Sequence, residues 1–342
     1  MNILAIESSC DETAAAIIED ESIRSNVISS QAEIHAQYGG VVPEVAARSH
    51  IEVILPVIEQ SIKEAGTNWD EIDAIAVTKG PGLLGSLLIG VMSAKTLALI
   101  KNKPLIGVNH IWAHGFAAFL TDNKPEFPFL ALTVSGGHTT LSLYQQDLTR
   151  KVLGETLDDA AGEAFDKVAK LLKLGYPGGP AISKAAMSGD DSKYKFPIAN
   201  MGKDSLDFSF SGLKTAVLRQ IQQITGVNPG DVSLVKSYDL NDKTVADMAA
   251  SFQKAAVSAL VKNTIKANAR YKPKSIVVGG GVACNQLLRE EMHKVLPQAI
   301  FVPPVLCTDN AAMIGSLAIK MAQQDLYTTV NSLSANSSLE DI

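Results

Sequence analysis

The sequence predicts an α/β fold made of two related halves, with sheets covered by helices. Three observations carry this. Strand-length apolar runs alternate with longer stretches of helical period. A glycine-rich loop stands between a strand and a helix in each half. The order of elements in the first half then recurs in the second. Alternating strands and helices of this kind form layered sheets with helices on their faces.

The elements follow in chain order. NILAIESSCDETAAAII (2–18) reads strand, polar turn, strand, and FPFLALTVSGGHTTLSLY (127–144) reads the same way. In both, small and hydroxyl residues sit at the tip between apolar runs. IDAIAVTKGPGLLGSLLIG (72–90) reads strand, glycine loop, helix; its counterpart is KSIVVGGGVACNQLLREEM (274–292). PLIGVNHIWAH (104–114) is a short strand running into His110, and AIFVPPVLCTDNAAMIG (299–315) is a short strand running into Asp309. The apolar run Leu83 to Ile100 is long enough to raise a membrane span, but it contains Lys95, Ser86 and Ser93, which favour a buried amphipathic helix. Thr244 to Arg270 has helical spacing, and Pro273 stops it. Residues 331–342 lack an apolar period and read as a frayed tail.

Composition narrows the functional classes. With 46% hydrophobic and 19% charged residues, the chain is an ordinary globular protein of one large or two medium domains. MNILAIESS has no basic leader and no cleavage site, which argues against a signal peptide. Cys10, Cys284 and Cys307 form no disulfide framework and no paired metal motif, so a cytoplasmic protein with free thiols and no membrane contact is expected. The net charge is −6, so the chain does not advertise nucleic-acid binding by itself. Lys167, Lys170 and Lys173, and the group Lys266, Arg270, Lys272 and Lys274, read first as solvated helix faces.

Several motifs resemble catalytic signatures and fail on a second requirement. GPGLLG (80–85) has dinucleotide-loop spacing, but IKNKPLIGVNH offers no carboxylate for a ribose. A glycine turn for close backbone approach, to chain or ligand, remains. SGLK (211–214) matches a serine-nucleophile pattern that lacks its companion motifs. SGGHT (135–139) is a tip whose backbone N–H groups can reach an anion, or simply a tight turn. The matching tip SSCDET carries Asp11 and Glu12, which could position an amine, bind a metal or be solvated. GGGVACN leads into a helix with Asn285 near its cap.

His110 and His114 lie one helical turn apart, a spacing that lets two imidazoles share an ion. A zinc peptidase would need glutamate at position 111, where this chain has Ile111. If the halves are related, Asp309 takes the place equivalent to the histidines and faces them across a cleft. Two histidines and a carboxylate suit a divalent ion such as Fe2+ or Zn2+. Helix starts lining one cleft would favour a phosphorylated ligand.

ESSCDET, GGVVPEVAARSH (39–50), GPGLLGSL, NHIWAH, VSGGHT, GEAFDKVAK, GYPGGP, FSFSGLKT, GGGVACN and CTDNAAMIG, in that order, resemble the TsaD family, the tRNA N6-adenosine threonylcarbamoyltransferases once labelled O-sialoglycoprotein endopeptidases. The resemblance runs from about residue 1 to 325 and is closest to bacterial members. It implies the duplicated actin-like ATPase (ASKHA) fold, two lobes with a central cleft. The expected lobes are 1–128, with 306–330 packing back on it, and 129–305, followed by a flexible tail, 331–342. It implies transfer of threonylcarbamoyl from threonylcarbamoyl-AMP to N6 of adenosine 37 in tRNAs reading ANN codons, releasing AMP. By resemblance, His110, His114 and Asp309 are metal ligands for one divalent ion, Fe2+ before Zn2+. Val134, Ser135, Gly136, Gly137 and His138 match the substrate loop, and Asp166, Gly179, Ser183 and Asn285 match further substrate contacts. Some members carry Asp where this chain has Ser183, and archaeal members carry a tyrosine ligand where it has Thr133, leaving the fourth metal position to substrate or water. Asp11 and Glu12 are the candidates for orienting or deprotonating the adenosine amine. A TsaB-like paralogue and a TsaE-like ATPase are the implied partners, with tRNA held by the assembly. The alternatives are a small-molecule kinase or an ATP-binding assembly module of the same superfamily; neither need carry the His110, His114, Asp309 set.

Overall fold

A computed structural model describes residues 1–227 and 238–339. The chain begins with strands β1 (Asn2–Glu7), β2 (Glu12–Glu19) and β3 (Ser22–Ser30), then helices α1 (Ala32–Ala36) and α2 (Pro43–Ala65). Next come β4 (Ala74–Gly80), α3 (Leu84–Lys101), β5 (Leu105–Asn109) and α4 (His110–Phe116). The second series is β6 (Phe129–Val134), β7 (Thr139–Tyr144) and β8 (Arg150–Glu155), followed by α5 (Ala161–Leu171), α6 (Gly178–Ala186), α7 (Ser211–Thr225) and α8 (Asp242–Tyr271). It closes with β9 (Ser275–Gly279), α9 (Gln286–Val295), β10 (Ala299–Phe301), α10 (Pro304–Cys307) and α11 (Ala311–Ala322).

These elements form two compact units. One comprises Met1–Pro125, Gln146–Leu148 and Val302–Ile342; the other comprises Glu126–Gln145 and Thr149–Phe301. Their sheets run β3-β2-β1-β4-β5 and, read from the opposite edge, β8-β7-β6-β9-β10. In each, a hairpin strand lies antiparallel to the central strand and a crossover strand lies parallel to it. The registers also match. Ile3 faces Ala74 and Glu7 faces Ala14 in the first sheet, while Phe129 faces Ser275 and Thr133 faces Thr140 in the second. The internal repeat expected from sequence is therefore a repeat of topology.

In the first unit, β1 is buried on both faces, which explains its unbroken apolar run from Ile3 to Ile6. Leu4, Ile6, Ile17, Ile75 and Val77 form a core with Ile54 and Ile58 of α2 and Val91 and Ala94 of α3. α11 covers the sheet as well, and its Ser316 Oγ donates to the Phe116 carbonyl at 2.6 Å. The GPGLLG loop serves the chain rather than a dinucleotide. A Cβ on Gly82 would lie 2.5 Å from the Ser9 carbonyl oxygen, and Leu83 N donates to that same oxygen at 2.8 Å. The loop thus braces the β1–β2 tip.

Two expectations change here. α3 is apolar all round and long enough to cross a membrane by length and composition, yet a third of it is buried. Ser86, Leu87, Gly90, Val91, Ala94 and Ala98 face inward, while Leu88, Met92, Leu99 and Ile100 are exposed. It is not the buried amphipathic helix expected. The tail also differs. Leu333 is 2% exposed in the first unit's core, Lys95 Nζ donates to its carbonyl at 3.0 Å, and Asn336 N donates to the Lys79 carbonyl at 2.8 Å. One apolar anchor and a backbone bond hold this stretch without any periodic pattern.

In the second unit, β6 is wholly buried, and α8 supplies Met248, Phe252, Ala256 and Leu260 to the core. α8 ends at Lys272 in the left-handed conformation, just before Pro273. The glycine loop after β9 presses on the chain leaving β6. Gly280 has φ +90°, and a Cβ there would lie 2.4 Å from the Val134 carbonyl oxygen. Gly280→Ala should therefore destabilise the fold by about 2–4 kcal/mol, combining backbone strain with overpacking. Denaturant unfolding measures this; a change under about 0.5 kcal/mol would show that the contact relaxes freely.

Candidate metal centre and glycine-loop site

α4 starts where β5 ends because Asn109 caps it. Its Oδ1 accepts from Ile111 N at 3.0 Å and Trp112 N at 3.3 Å. This capped start sets His110 and His114 one turn apart, with ring centroids 4.9 Å apart and planes at 82°. Asp309 stands between α10 and α11, next to Asn310, which caps α11 through Met313 N at 3.1 Å. Asp309 Oδ1 lies 3.5 Å from His110 Nε2 and 3.4 Å from His114 Nε2. Among the described residues these three form the group that could hold a metal ion. All three lie in the first unit, so Asp309 meets the histidines within one unit rather than across a cleft between the halves. The segment from Val302 onward has returned to the first unit.

The donor set fits a divalent ion on two further grounds. Ligands about 2.1 Å from a tetrahedral metal stand about 3.4 Å apart, close to the spacing seen. His114 is 1% exposed, and neither ring nitrogen has a hydrogen-bond partner. A buried polar group in that state costs about 1–3 kcal/mol, which a metal bond would remove.

His110 is held from behind. Its Nδ1 lies 3.0 Å from Glu7 Oε2 and 3.1 Å from Ser9 Oγ. Glu7 is fully buried, and it also accepts from Thr78 Oγ1 at 2.7 Å and Ser9 N at 2.5 Å. A carboxylate accepting from Nδ1–H presents the Nε2 lone pair to the ion. Burial opposes charge on both groups. Even so, the His110 charge holds Glu7 below the usual carboxylate range, and Asp309 and Glu7 lift His110 to about 9. In metal-free protein an imidazolium thus stands in for the cation. Sequence reasoning missed Glu7 and Ser9, although both lie within the ESSCDET tip.

That tip carries Asp11 and Glu12. His50 of α2 pins it, with Nε2 3.0 Å from the Cys10 carbonyl and Nδ1 2.7 Å from Thr13 Oγ1. Burial lowers the His50 pKa, favouring the neutral ring, in which Nε2–H donates to the carbonyl and Nδ1 accepts from the hydroxyl. Ser30 Oγ donates to Glu12 at 3.2 Å. Burial, reinforced by the charges of Asp309 and Asp11, pushes Glu12 up to about 9.

The second unit gathers the other predicted residues. The SGGHT turn closes on itself: Ser135 N donates to the His138 carbonyl at 2.8 Å, and His138 N to Ser135 Oγ at 3.1 Å. Among the described residues, the N–H groups of Gly136 and Gly137 find no hydrogen-bond acceptor. A Cβ at either glycine would meet nothing within 4 Å. Gly162 and Gly280 press on the backbone that carries the turn: Cβ atoms there would lie 2.5 Å from the Ser135 oxygen and 2.4 Å from the Val134 oxygen. Asp166 Oδ1 accepts from Gly178 N at 2.7 Å, fixing the start of α6, and Gly179 beside it has open space. Asn285 caps α9 and bonds to Ser183 at 3.2 Å and to Gln253 at 2.8 Å. Gln253 was not singled out from sequence, because nothing in its helical context marks it. In SGLK, Lys214 pairs with Asp159 at 3.4 Å.

Residues 22–316 match the family model of TsaD, tRNA N6-adenosine threonylcarbamoyltransferase. Proteins bearing that name are 51% identical over 319 residues in Symbiobacterium thermophilum, covering 92% of this chain and 89% of that one. In Clostridium perfringens they are 51% identical over 321 residues, covering 92% and 91%. Among solved structures, T. kodakarensis HypF matches with a TM-score of 0.60 at 14% identity, covering 97% of this chain and 49% of that one. Component A of the Acidaminococcus fermentans (R)-2-hydroxyglutaryl-CoA dehydratase matches at 0.53 and 16% identity, covering 94% and 99%. The fold is the duplicated actin-like ATPase fold.

His114→Leu removes the two orphaned nitrogens at similar volume. It should stabilise metal-free protein by about 1 kcal/mol or more and abolish metal uptake. Elemental analysis still finding one equivalent would remove His114 from the set. His110 gives a second expectation. Its folded pKa stands above the ordinary 6.5, so its stabilisation is complete below that pH and is lost as pH rises through about 9. Metal-free protein should therefore melt lower at pH 9.5 than at pH 6.5, and His110→Asn should flatten that difference. Equal slopes in both proteins would contradict it.

Proposed function

The chain belongs to the TsaD family, the tRNA N6-adenosine threonylcarbamoyltransferases, and from that premise we propose how its residues carry the reaction. The donor is threonylcarbamoyl-AMP, and the acceptor is adenosine 37 of tRNAs reading ANN codons. The N6 lone pair attacks the carbamoyl carbonyl carbon. A C–N bond forms, the C–O bond to phosphate breaks, and AMP leaves with the electron pair. AMP is a good leaving group, so the protein's task is to hold the anhydride, orient the amine and steady developing charge.

The observation that carries this reading is the SGGHT turn. Gly136 and Gly137 have two unspent N–H donors and no packing reason to be glycine. They are placed to stabilise the oxyanion that forms on the carbamoyl oxygen. Ser135 N and His138 N are spent inside the turn and act as its frame. Asp166, Gly179, Ser183 and Asn285 hold the adenylate. Asp11 takes the N6 proton, and Glu12 beside it orients the adenosine amine. His110, His114 and Asp309 would hold a divalent ion, Fe2+ in this reading with Zn2+ as alternative, which when bound would supply Lewis-acid stabilisation of negative charge on the donor. Protein purified anaerobically that contained zinc alone would replace iron.

The net charge of −6 supports tRNA capture by an assembly. A TsaB-like paralogue and a TsaE-like ATPase are the proposed partners. Ile51, Leu55, Leu88 and Met92 leave an exposed apolar face on α2 and α3, of the kind that marks a protein contact.

The test is nucleoside mass spectrometry after incubating unmodified tRNA and threonylcarbamoyl-AMP with this chain, with and without partners. Threonylcarbamoyladenosine should form. Gly137→Ala should melt like the parent yet raise the donor KM at least about tenfold, because a methyl group would stand where the anhydride binds. Leu88→Glu should abolish stimulation by the paralogue. No product under any combination would sink the reading.

A further inference from the structure

Three polar side chains meet in the second unit, and their donors can be accounted for one at a time. Asn285 Oδ1 accepts from Leu288 N at 3.1 Å as the cap of α9. A backbone N–H only donates, so that bond settles which way the Asn285 amide points. Its Nδ2 then faces Gln253 Oε1 at 2.8 Å and Ser183 Oγ at 3.2 Å. The Gln253 atom facing Nδ2 must be the acceptor, which settles the glutamine amide in turn. The Ser183 hydroxyl donates to the same Oε1 at 2.8 Å.

Both Asn285 donors and the Ser183 proton are now used. What remains is one donor group, Gln253 Nε2, the second lone pair of Ser183 Oγ, and the second lone pair of Asn285 Oδ1 at the helix cap. Gln253 is 8% exposed, and among the described residues its Nε2 makes no bond, yet it is not sealed from solvent. A donor that solvent reaches at the edge of a buried trio is open to a ligand.

We propose that Gln253 is a specificity residue that, with Ser183, binds the two ribose hydroxyls of the adenylate. This rests on the reading of the second unit as the adenylate-holding unit. A vicinal diol offers what the trio lacks: one hydroxyl accepts from Gln253 Nε2 and its neighbour donates to Ser183 Oγ. A phosphate or carboxylate would meet no positive charge among the three. A purine ring nitrogen would use the donor and leave the acceptor empty. The helix cap makes the arrangement rigid, since neither amide can turn over without uncapping α9.

The test measures equilibrium binding of AMP, 2′-deoxy-AMP and 3′-deoxy-AMP to the full chain and to two variants, with melting curves as the check on folding. The parent should prefer AMP over either deoxynucleotide by about tenfold. Gln253→Leu should bind all three alike. Gln253→Glu keeps an acceptor for Asn285 and Ser183, and a ribose hydroxyl can turn and donate to it, so it should recover the preference. A Leu variant that still discriminates would overturn the role of Gln253, and so would a Glu variant that folds without recovering the preference. If the parent binds AMP without discriminating, the ribose assignment is wrong. If it binds no AMP at all, the adenylate site falls first and this proposal with it.

Discussion

The first unit is organised around one buried carboxylate. Glu7 ends β1, Thr78 lies in the neighbouring β4, and His110 follows β5; a single side chain ties together the ends of three strands. An isolated carboxylate in this position would be prohibitive to bury. It is tolerated because Ser9 N, Thr78 Oγ1 and His110 Nδ1 fill its lone pairs. Removing one partner of such a buried pair costs about 3–5 kcal/mol, so the constraint works in both directions. Glu7 needs the histidine, and the histidine is thereby oriented with Nε2 outward. The bend that brings Ser9 N onto Glu7 also lies where Gly82 crowds the Ser9 carbonyl, so the GPGLLG loop acts on the same few atoms.

The second unit shows what the shared scaffold does without that carboxylate. Thr133 holds the place of Glu7: each lies at the end of the central strand, four residues past a matched parallel pairing. Opposite Thr78 in the first unit, the second has Gly279, followed by Gly280 and Gly281. With no charge to satisfy, the strand ends there can approach closely, and the Val134 carbonyl touches the Gly280 backbone. One topology therefore carries two different ends, a charged pocket whose two histidines and carboxylate could hold a cation and an uncharged glycine turn. The difference lies in a few residues at the ends of matching strands.

Much of this was legible in the sequence, and the omissions have a common cause. Strands, tips and helix starts are local, and their periods and caps can be read from neighbouring residues. The His110 and His114 pair is local as well. Glu7 and Gln253 act across long separations, on His110 and Asn285, through bonds that no period records. Asp309 stands beside the two histidines, and the reason is the return of the last segment to the first unit rather than the approach of two halves across a cleft. The tail was misread for the opposite reason: it has no pattern, and one leucine suffices to hold it.

The glycines show how structure converts a motif into a claim about ligands. A glycine can be required by its backbone angle, by a neighbour too close for a Cβ, or by something absent from the protein itself. Gly280 meets the first two conditions, and Gly162 and Gly178 meet the second through contacts of 2.5 Å with Ser135 and Asp166 backbone atoms. These glycines are explained by the fold. Gly136, Gly137 and Gly179 meet neither: their φ angles are ordinary and the space around them is open. Read from sequence, SGGHT offered backbone N–H groups to an anion, and GGGVACN led into a helix with Asn285 near its cap. Sorted by what a methyl group would strike, Gly280 of the second motif clamps the first, and the first is left with unspent donors and free space. The ligand-facing role thus falls to the residues whose identity the protein's own packing does not demand.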